Sequence, residues 1–250
     1  MTAATAFHPD LKSSPDDAAG RVSACPPPFV GMVPDLFAPT SLTGTLDTVV
    51  GLARRSFGCE GAGAVLTAAS GGYAAAAASA ADVKRADVLQ VEHHQGPAFD
   101  AIAGQQPVLS PELRFDSRWR FWAPQAADLG FRSVLSLVLA AGEPLGAVTL
   151  YSRRPSFFRT ESIAPGLGFA QQASIAIAIA VEREQLVRAR DSRGVVGQAQ
   201  GILMERYQIT AEQAFAVLRR YSSHLNQKLR VIAERIVSER SLPGDPDLPG

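Results

Sequence analysis

The stretch "VVGQAQGILMERYQIT", residues 195–210, decides how the C-terminal part of this 250-residue chain folds. Its apolar residues recur at the spacing of one face of an α-helix: Val195, Val196, Ala199, Ile202 and Leu203. Gly197 and Gly201 lie inside the same helix, and each destabilises it by about 1 kcal/mol relative to alanine. A missing side chain lets another helix pack closely, or lets a ligand reach the backbone.

Two more helices are predicted after this one. Thr210 is followed three residues later by Gln213, the pattern of a capping box at a helix start. The segment "HLNQ" (224–227) interrupts the pattern, and Leu229, Ile232 and Ile236 begin a new helical period. Residues 192–240 are therefore predicted to form a three-helix bundle. A bundle of about 50 residues is marginally stable alone, so we expect the preceding helix to extend into it.

That preceding helix, in "GLGFAQQASIAIAIAVEREQLVRARDS" (166–192), is apolar on two faces. A helix of this kind must bury both faces, one against a sheet and the other against a partner, most simply a second copy. We therefore interpret residues 169–191 as a rigid linker and dimeric coiled coil. The predicted dimer residues are Ile175, Ile179, Val181 and Leu186.

The N-terminal part is predicted to be an α+β domain. Residues 1–40 are rich in proline and predict a flexible leader, and residues 241–250 predict a disordered tail. Between them, a helix is predicted at 45–58, a strand at 61–72, and a hairpin with strands at 133–140 and 145–152. An antiparallel sheet flanked by helices is therefore expected over residues 41–168.

Charge is unevenly distributed although the chain is neutral overall. Residues 188–240 contain ten Arg/Lys and five acidic residues, a net charge of +5, which leaves −5 on the remainder. A basic helical module beside an acidic body indicates a polyanionic partner. A solvated helical surface is the equally acceptable alternative.

Several other classes of protein are disfavoured. Cys25 and Cys59 form no disulfide or metal-binding pattern, and the N-terminus lacks a signal peptide, so a cytoplasmic location is expected. No membrane span is predicted, because residues 133–151, the nearest match, are interrupted by Glu143 and Pro144. The neighbouring residues His93 and His94 point apart on regular structure and predict no metal site. No nucleophile–base pair or phosphate loop is present, so neither catalysis nor a cofactor is expected.

Four segments of the C-terminal module carry a resemblance to a known family. Arg193 and the segments "QAQGILMER" (198–206), "AEQAFAVLRR" (211–220) and "NQKLRVIAERIV" (226–237) resemble the ANTAR domain of AmiR- and NasR-type antiterminators. The resemblance implies RNA binding, with a dimer meeting two hairpins that carry hexanucleotide loops in a nascent transcript. Ser222 departs from the alanine that is usual in this family.

The N-terminal domain resembles the GAF domains that precede ANTAR modules in actinobacterial regulators. The matching segments are "EHHQGPAFDAIAGQQPVLSPEL" (92–113), "DSRWRFWAPQAADLGFRSVLSLVL" (116–139) and "GAVTLYSRRPSFF" (146–158). The resemblance implies a signal-input domain that takes a small molecule or a protein. Phe99 stands where such domains often carry a cysteine, which puts thiol sensing there in doubt.

The chemistry of RNA loops suggests which residues would bind. Splayed bases accept stacking and hydrogen bonds, while Arg and Lys contact phosphates. The predicted RNA-binding residues are Arg193, Gln198, Gln200, Gly201, Arg206, Arg219, Arg220, Asn226, Lys228 and Arg230. Arg219 and Arg220 point in different directions, so only one of them is expected to face RNA. Tyr207 and Tyr221 have the helical phase of core residues rather than of stacking platforms.

A pocket in the GAF-like domain is the last prediction. Its candidate residues are Glu92, Gln95, Trp119, Trp122 and Ser133. The favoured alternative for the two tryptophans is that they close the hydrophobic core. Two other functions stay open: a DNA-binding transcription factor, because a basic helical bundle can also enter a major groove, and a signalling scaffold that binds no RNA.

Overall fold

The computed structural model describes residues 33–68 and 71–240. The predictions for residues 1–32 and for the tail 241–250 lie outside these ranges. Helix α1, Val33–Phe37, falls within the predicted flexible leader, so that prediction is wrong for this segment. Leu36 of α1 is buried and packs in the core beneath α2 and α6. This packing explains why Val33–Phe37 has a defined helical structure.

The remaining elements form an α+β domain followed by a helical module, as predicted. They are α2 Leu42–Phe57, β1 Gly61–Thr67, β2 Tyr73–Ala78, α3 Ala81–His93, α4 Pro97–Gly104, β3 Val108–Ser110, α5 Trp122–Asp128, β4 Ser133–Ala141, β5 Glu143–Ser152, α6 Ile163–Tyr207, α7 Ala211–His224 and α8 Leu229–Glu239. The five strands form one antiparallel sheet in the order β2-β1-β5-β4-β3. The hairpin β4–β5 lies where the sequence predicts it, whereas the predicted strand 61–72 ends at Thr67.

Side-chain alternation along β4 and β5 places a core on each face of the sheet. Leu135 and Leu137 point to the face covered by α2 and the first part of α6, with Phe169 and Ile177. Their neighbour Val134 points to the opposite face, covered by α3, α4 and α5. Successive side chains of a strand face opposite sides, so one hairpin supplies both cores.

Helix α6 is continuous over 45 residues, a length of about 67 Å at about 1.5 Å per residue. Ala173 and Ile177 are buried under the sheet, and Ala199 and Leu203 are buried in the helical module. The predicted rigid connection is thus a single helix shared by two cores. Val181 packs partly against the core of the α/β domain, so its assignment to the dimer set is corrected.

The helical stretch Thr160–Tyr207 is the one stretch within the described ranges that is long and apolar enough to cross a membrane. Its most apolar window is 44% buried inside the fold, and one such helix is weak evidence for a membrane span. Residues 133–151, the most membrane-like segment by sequence, instead form β4 and β5.

The two helical glycines have no neighbour that would exclude a side chain. A Cβ atom placed on Gly197 or Gly201 meets no atom of the described residues within 4 Å. Of the two explanations given for these glycines, close packing of another helix is therefore not found among the described residues. Gly166, earlier in α6, is different, because its Cβ would lie 2.8 Å from Cδ2 of Leu137.

A carboxyl group is buried between α3 and the sheet. Oδ1 of Asp87 accepts hydrogen bonds from the Tyr151 hydroxyl (2.6 Å) and from Nε2 of Gln90 (3.2 Å). Oδ2 has no hydrogen-bond partner among the described residues and lies against Gly63, where a Cβ would collide with it. Burial raises the pKa of Asp87 to about 7, although both hydrogen bonds act in the opposite direction.

The Asp87 carboxyl should make folding stability depend on pH. The unfolded chain loses this proton near pH 3.8, whereas the folded chain keeps it to about pH 7. The contribution of this group to stability therefore falls as pH rises between those values. We expect Asp87→Asn to match the wild type near pH 4 and to be more stable at pH 7 and above. Urea unfolding across this range tests it, with the exposed Asp128→Asn as control; parallel pH profiles for wild type and Asp87→Asn would contradict the prediction.

Alanine should stabilise α6 at the two open glycines. Gly197→Ala and Gly201→Ala are each expected to raise the free energy of unfolding of the helical module by about 1 kcal/mol, since alanine lowers the backbone entropy lost on folding. Gly166→Ala is the matched contrast and should destabilise the protein, because its Cβ meets Leu137. Circular dichroism during urea titration measures all three. A loss of stability at Gly197 or Gly201 would show that a second helix packs there.

Candidate nucleic-acid interface

The helical module has a core of its own that determines which side chains face solvent. The end of α6, α7 and α8 bury a small apolar cluster consisting of Ala199, Leu203, Ala214, Leu218, Ile232, Ala233 and Ile236. The predicted capping box starts α7: Thr210 N–H donates to Oε1 of Gln213 (2.9 Å), and Gln213 N–H donates to Oγ1 of Thr210 (3.3 Å). With the apolar faces paired inward, the polar faces of all three helices are presented to solvent.

A side-chain hydrogen bond closes the turn between α7 and α8. Oγ of Ser222 donates to the carbonyl oxygen of Gln227 (2.6 Å), and Asn226 adopts a left-handed conformation with φ 49°. Lys228 is the residue that caps the start of α8. The serine that departs from the family pattern therefore stabilises the turn that carries Asn226 and Lys228.

Four basic side chains of the predicted set are exposed and unpaired. Arg193 on α6, Arg219 and Arg220 on α7, and Lys228 before α8 make no ion pair or side-chain hydrogen bond with any described residue. Arginine and lysine in this state are available for phosphate oxygens. The exposed amide of Asn226 lies in the same turn as Lys228.

Three other predicted residues already have partners within the module. Nη1 of Arg206 donates to the carbonyl oxygen of Arg240 (2.7 Å), which joins α6 to the end of α8. Nε of Arg230 lies 2.7 Å from Oε1 of Glu234, and Nε2 of Gln200 donates to the carbonyl oxygen of Ala211 (3.1 Å). Each bond uses an N–H donor that would otherwise be available to RNA. The partner of Arg206 is 34 residues away, so no local pattern in the sequence predicts this bond.

The two ends of α7 differ in charge. Glu212 lies in the first turn, where hydrogen bonds from its own backbone N–H and from Thr210 lower the pKa of its carboxyl. The opposite end carries Arg219 and Arg220 and leads to Lys228. Positive charge is therefore concentrated in the second half of α7 and at the start of α8. Gln198 and Gly201 are exposed on α6, and Tyr221 packs against the module core as its phase predicts.

The two tryptophans of the predicted pocket are buried in the α/β domain and line no opening, as the favoured alternative states. Nε1 of Trp119 donates to Oδ2 of Asp100 (2.8 Å), and Nε1 of Trp122 donates to the carbonyl oxygen of Ala86 (2.9 Å). Their rings pack edge to face with centroids 5.4 Å apart. Large aromatic rings with satisfied N–H groups fill this core.

The other three pocket residues do not converge either. Oγ of Ser133 is buried, donating to the carbonyl oxygen of Ser110 and accepting from the backbone N–H of Phe158, each at 3.2 Å. Glu92 is exposed and pairs with Arg85 (3.3 Å). Oε1 of Gln95 accepts from the backbone N–H of Phe121 (3.2 Å). The predicted pocket is therefore wrong, because its residues bond to neighbouring parts of the fold and do not surround a common cavity.

The buried polar groups on this side of the sheet were missed by the sequence analysis. Asp87, Gln90 and Tyr151 bond to one another there, and Oε1 of Gln90 also accepts the backbone N–H of Ala98 (2.8 Å). One signal in the sequence could have found them: Asp87 and Gln90 lie three residues apart on the helix face that also carries the apolar residues Val83 and Ala86.

The described part of the chain contains neither a metal-binding arrangement nor a reactive thiol. No group of three or more His, Cys, Asp or Glu residues is placed to hold a metal ion there. Nε2 of His93 lies 2.9 Å from the amide nitrogen of Gln125. Burial raises the pKa of the Cys59 thiol to about 12, which keeps it protonated and unreactive. The ring of Phe99 packs against Tyr73 with centroids 4.7 Å apart.

Comparison with solved structures supports the fold of the α/β domain. The GAF domain of a phosphoenolpyruvate-protein phosphotransferase from Coxiella burnetii is 16% identical, with a TM-score of 0.50, covering 63% of this chain and 94% of that one. The equivalent domain from Acinetobacter is 14% identical, with a TM-score of 0.50 and coverage of 63% and 94%. Free methionine-R-sulfoxide reductase from Neisseria meningitidis is 11% identical, with a TM-score of 0.51 and coverage of 62% and 89%. These similarities concern the fold alone.

Family models match both parts of the chain, although no curated protein sequence does. The model described as GAF domain matches residues 39–178, more than half of the chain. The model described as ANTAR domain matches residues 184–237, which contain the bundle with its exposed arginines. The protein therefore belongs to the GAF family and is a regulator in which a GAF domain is joined by one helix to a C-terminal ANTAR domain.

Proposed function

We propose that this protein is a cytoplasmic, RNA-binding antitermination regulator, with the GAF domain as input and the ANTAR domain as output. The observation that carries the proposal is a set of exposed, unpaired side chains: Asn226 and Lys228 in the α7–α8 turn, and Arg219 and Arg220 in the second half of α7, of which one is expected to face RNA. Arg193 and Gln198 on α6 extend the same chemistry. Because this group combines cations with an amide, it suits a hairpin loop, whose phosphates are anionic and whose base edges are accessible.

A dimer follows from the outer face of α6. Ile175 and Ile179 are each 43% exposed, and Leu186 is 65% exposed, on the side of the helix turned away from the sheet. The same face of a second copy is the simplest cover for such a stripe. Two parallel α6 helices would set two ANTAR modules side by side, and each would meet one loop of a two-hairpin RNA.

Signal transfer is proposed to run along α6. One end of this helix is packed under the GAF sheet and the other lies in the ANTAR core. A small shift or rotation of the helix in the GAF core therefore displaces the RNA-binding module as a unit. The input is a small molecule or a protein that alters the packing of the GAF domain.

RNA binding should depend on the unpaired cations. We expect the full chain to bind a two-hairpin RNA with hexanucleotide loops more tightly than a loop-scrambled RNA or a duplex DNA at the same salt. Lys228→Ala and Arg219→Ala should each weaken binding and reduce the salt dependence by about one phosphate contact, because each removes one cation. Fluorescence anisotropy at several salt concentrations measures both effects.

Arg235→Ala is the matched control, since Arg235 lies on α8 but faces Glu239 at 3.5 Å. It should leave RNA affinity nearly unchanged. Preference for duplex DNA would favour a DNA-binding transcription factor. Weak binding to all three nucleic acids, with no effect of Lys228→Ala, would favour a signalling scaffold.

Charge placed on the outer face of α6 should dissociate the dimer. Ile179→Glu and Leu186→Glu each put a carboxylate into an apolar contact, whereas the monomer fold should tolerate them because both positions are exposed. Light scattering coupled to size-exclusion chromatography measures the mass. Gln185→Glu, exposed on another side of the same helix, is the control and should stay dimeric. A monomeric wild-type chain would refute this part of the proposal.

A further inference from the structure

A short loop of the GAF domain presents two aromatic rings to solvent. Phe115 is 85% exposed and Phe121 is 60% exposed, whereas Trp119 between them is buried. We call residues 114–121 the aromatic–arginine loop. It connects β3 to α5 and includes the end of a 3₁₀ turn at Leu113–Phe115.

The loop is held by contacts at both ends and in its middle. Leu113 N–H donates to the carbonyl oxygen of Arg132 (2.7 Å), and Trp119 is anchored through its indole to Asp100. The guanidinium of Arg118 donates to both oxygens of Asp116 (2.9 and 2.6 Å) and to the carbonyl oxygen of Leu109 (2.8 Å). The two phenylalanines are thus exposed on an anchored backbone.

The loop carries cations without free acids. Arg114 and Arg120 are exposed and make no ion pair or side-chain hydrogen bond with any described residue. Each of the three carboxylates nearby already has a partner: Glu112 accepts the backbone N–H of Arg114, Asp116 is bound by Arg118, and Asp100 accepts the indole N–H of Trp119. The ring of His93 stacks on Phe121 with centroids 6.0 Å apart. Exposed aromatic rings interleaved with unpaired arginines are the combination that binds single-stranded nucleic acid.

We propose that the aromatic–arginine loop is a second nucleic-acid contact, which binds a single-stranded stretch of the same transcript. Bases stack on Phe115 and Phe121, and the phosphates between them meet Arg114 and Arg120. Phe115 and Phe121 are six positions apart, a span of at most about 20 Å, so one short strand reaches both. The proposal rests on the proposed function only for its choice of RNA as the partner.

The loop lies apart from the ANTAR interface. Its anchors belong to the core on the α3–α5 face of the sheet, whereas α6 leaves from the opposite face. Two separate contacts on one transcript raise overall affinity without changing either contact, as long as the RNA spans them. The GAF domain would then take part in RNA capture as well as in signal input.

The test uses the full-length protein and a fluorescently labelled oligouridine of about 12 nucleotides, within the site sizes of single-strand binders. The double variant Phe115→Ala/Phe121→Ala is expected to lose at least about tenfold in affinity for this strand, because each ring supplies one stacking platform. The matched control is Phe37→Ala, which removes a ring that is 39% exposed on α1. Thermal unfolding confirms that each variant is folded.

The ANTAR variant Arg219→Ala/Lys228→Ala separates this proposal from the proposed function. It should weaken binding of the two-hairpin RNA and keep oligouridine binding, whereas the phenylalanine variant should do the reverse. If the wild type binds no oligouridine, or if the phenylalanine variant binds it as well as the wild type does, the second contact is refuted. Oligouridine binding that persists when hairpin binding is absent would refute the proposed function alone. Photo-crosslinking of 4-thiouridine to Phe115 or Phe121 gives a direct readout.

Discussion

The burial of one helix in two separate cores is the constraint on which the rest of this structure depends. The first part of α6 fills the face of the sheet opposite the α3–α5 layer, and its last part supplies Ala199 and Leu203 to the ANTAR core. A bundle of this size buries too little apolar surface to be independent of the helix that enters it. The packing of α6 in the GAF core therefore determines the position of the ANTAR domain.

Packing also divides the basic side chains into two groups. Among the basic residues predicted to bind RNA, Arg206 and Arg230 are bound to Arg240 and Glu234, whereas Arg193, Arg219, Arg220 and Lys228 are unpaired. The same distinction applies in the GAF domain, where Arg118 is held by Asp116 while Arg114 and Arg120 are free. A basic side chain is therefore a candidate nucleic-acid contact when it is exposed and has no partner nearby. Its being arginine or lysine is not enough.

Local patterns were enough for much of the fold. The hairpin β4–β5, the capping box at Thr210 and the continuous helix were predicted because each depends on residues close together in the chain. The core position favoured for Trp119 and Trp122 is found, whereas the pocket itself was predicted wrongly because Gln95 and Ser133 bond to groups 26 and 23 residues away in the chain. The Asp87–Tyr151 hydrogen bond joins residues 64 apart, and no periodicity signals such a pair.

The sequence by itself determined the β4–β5 hairpin, the order of the helices from α6 to α8, their apolar faces and the excess of basic residues after residue 188. These features follow from periodicity, capping and composition, which act over a few residues. Tertiary structure decided which arginines are free, that Gly197 and Gly201 have open space beside them, and that the tryptophans fill the core. Those outcomes depend on distances between elements far apart in the chain, and only the packed structure brings those elements together.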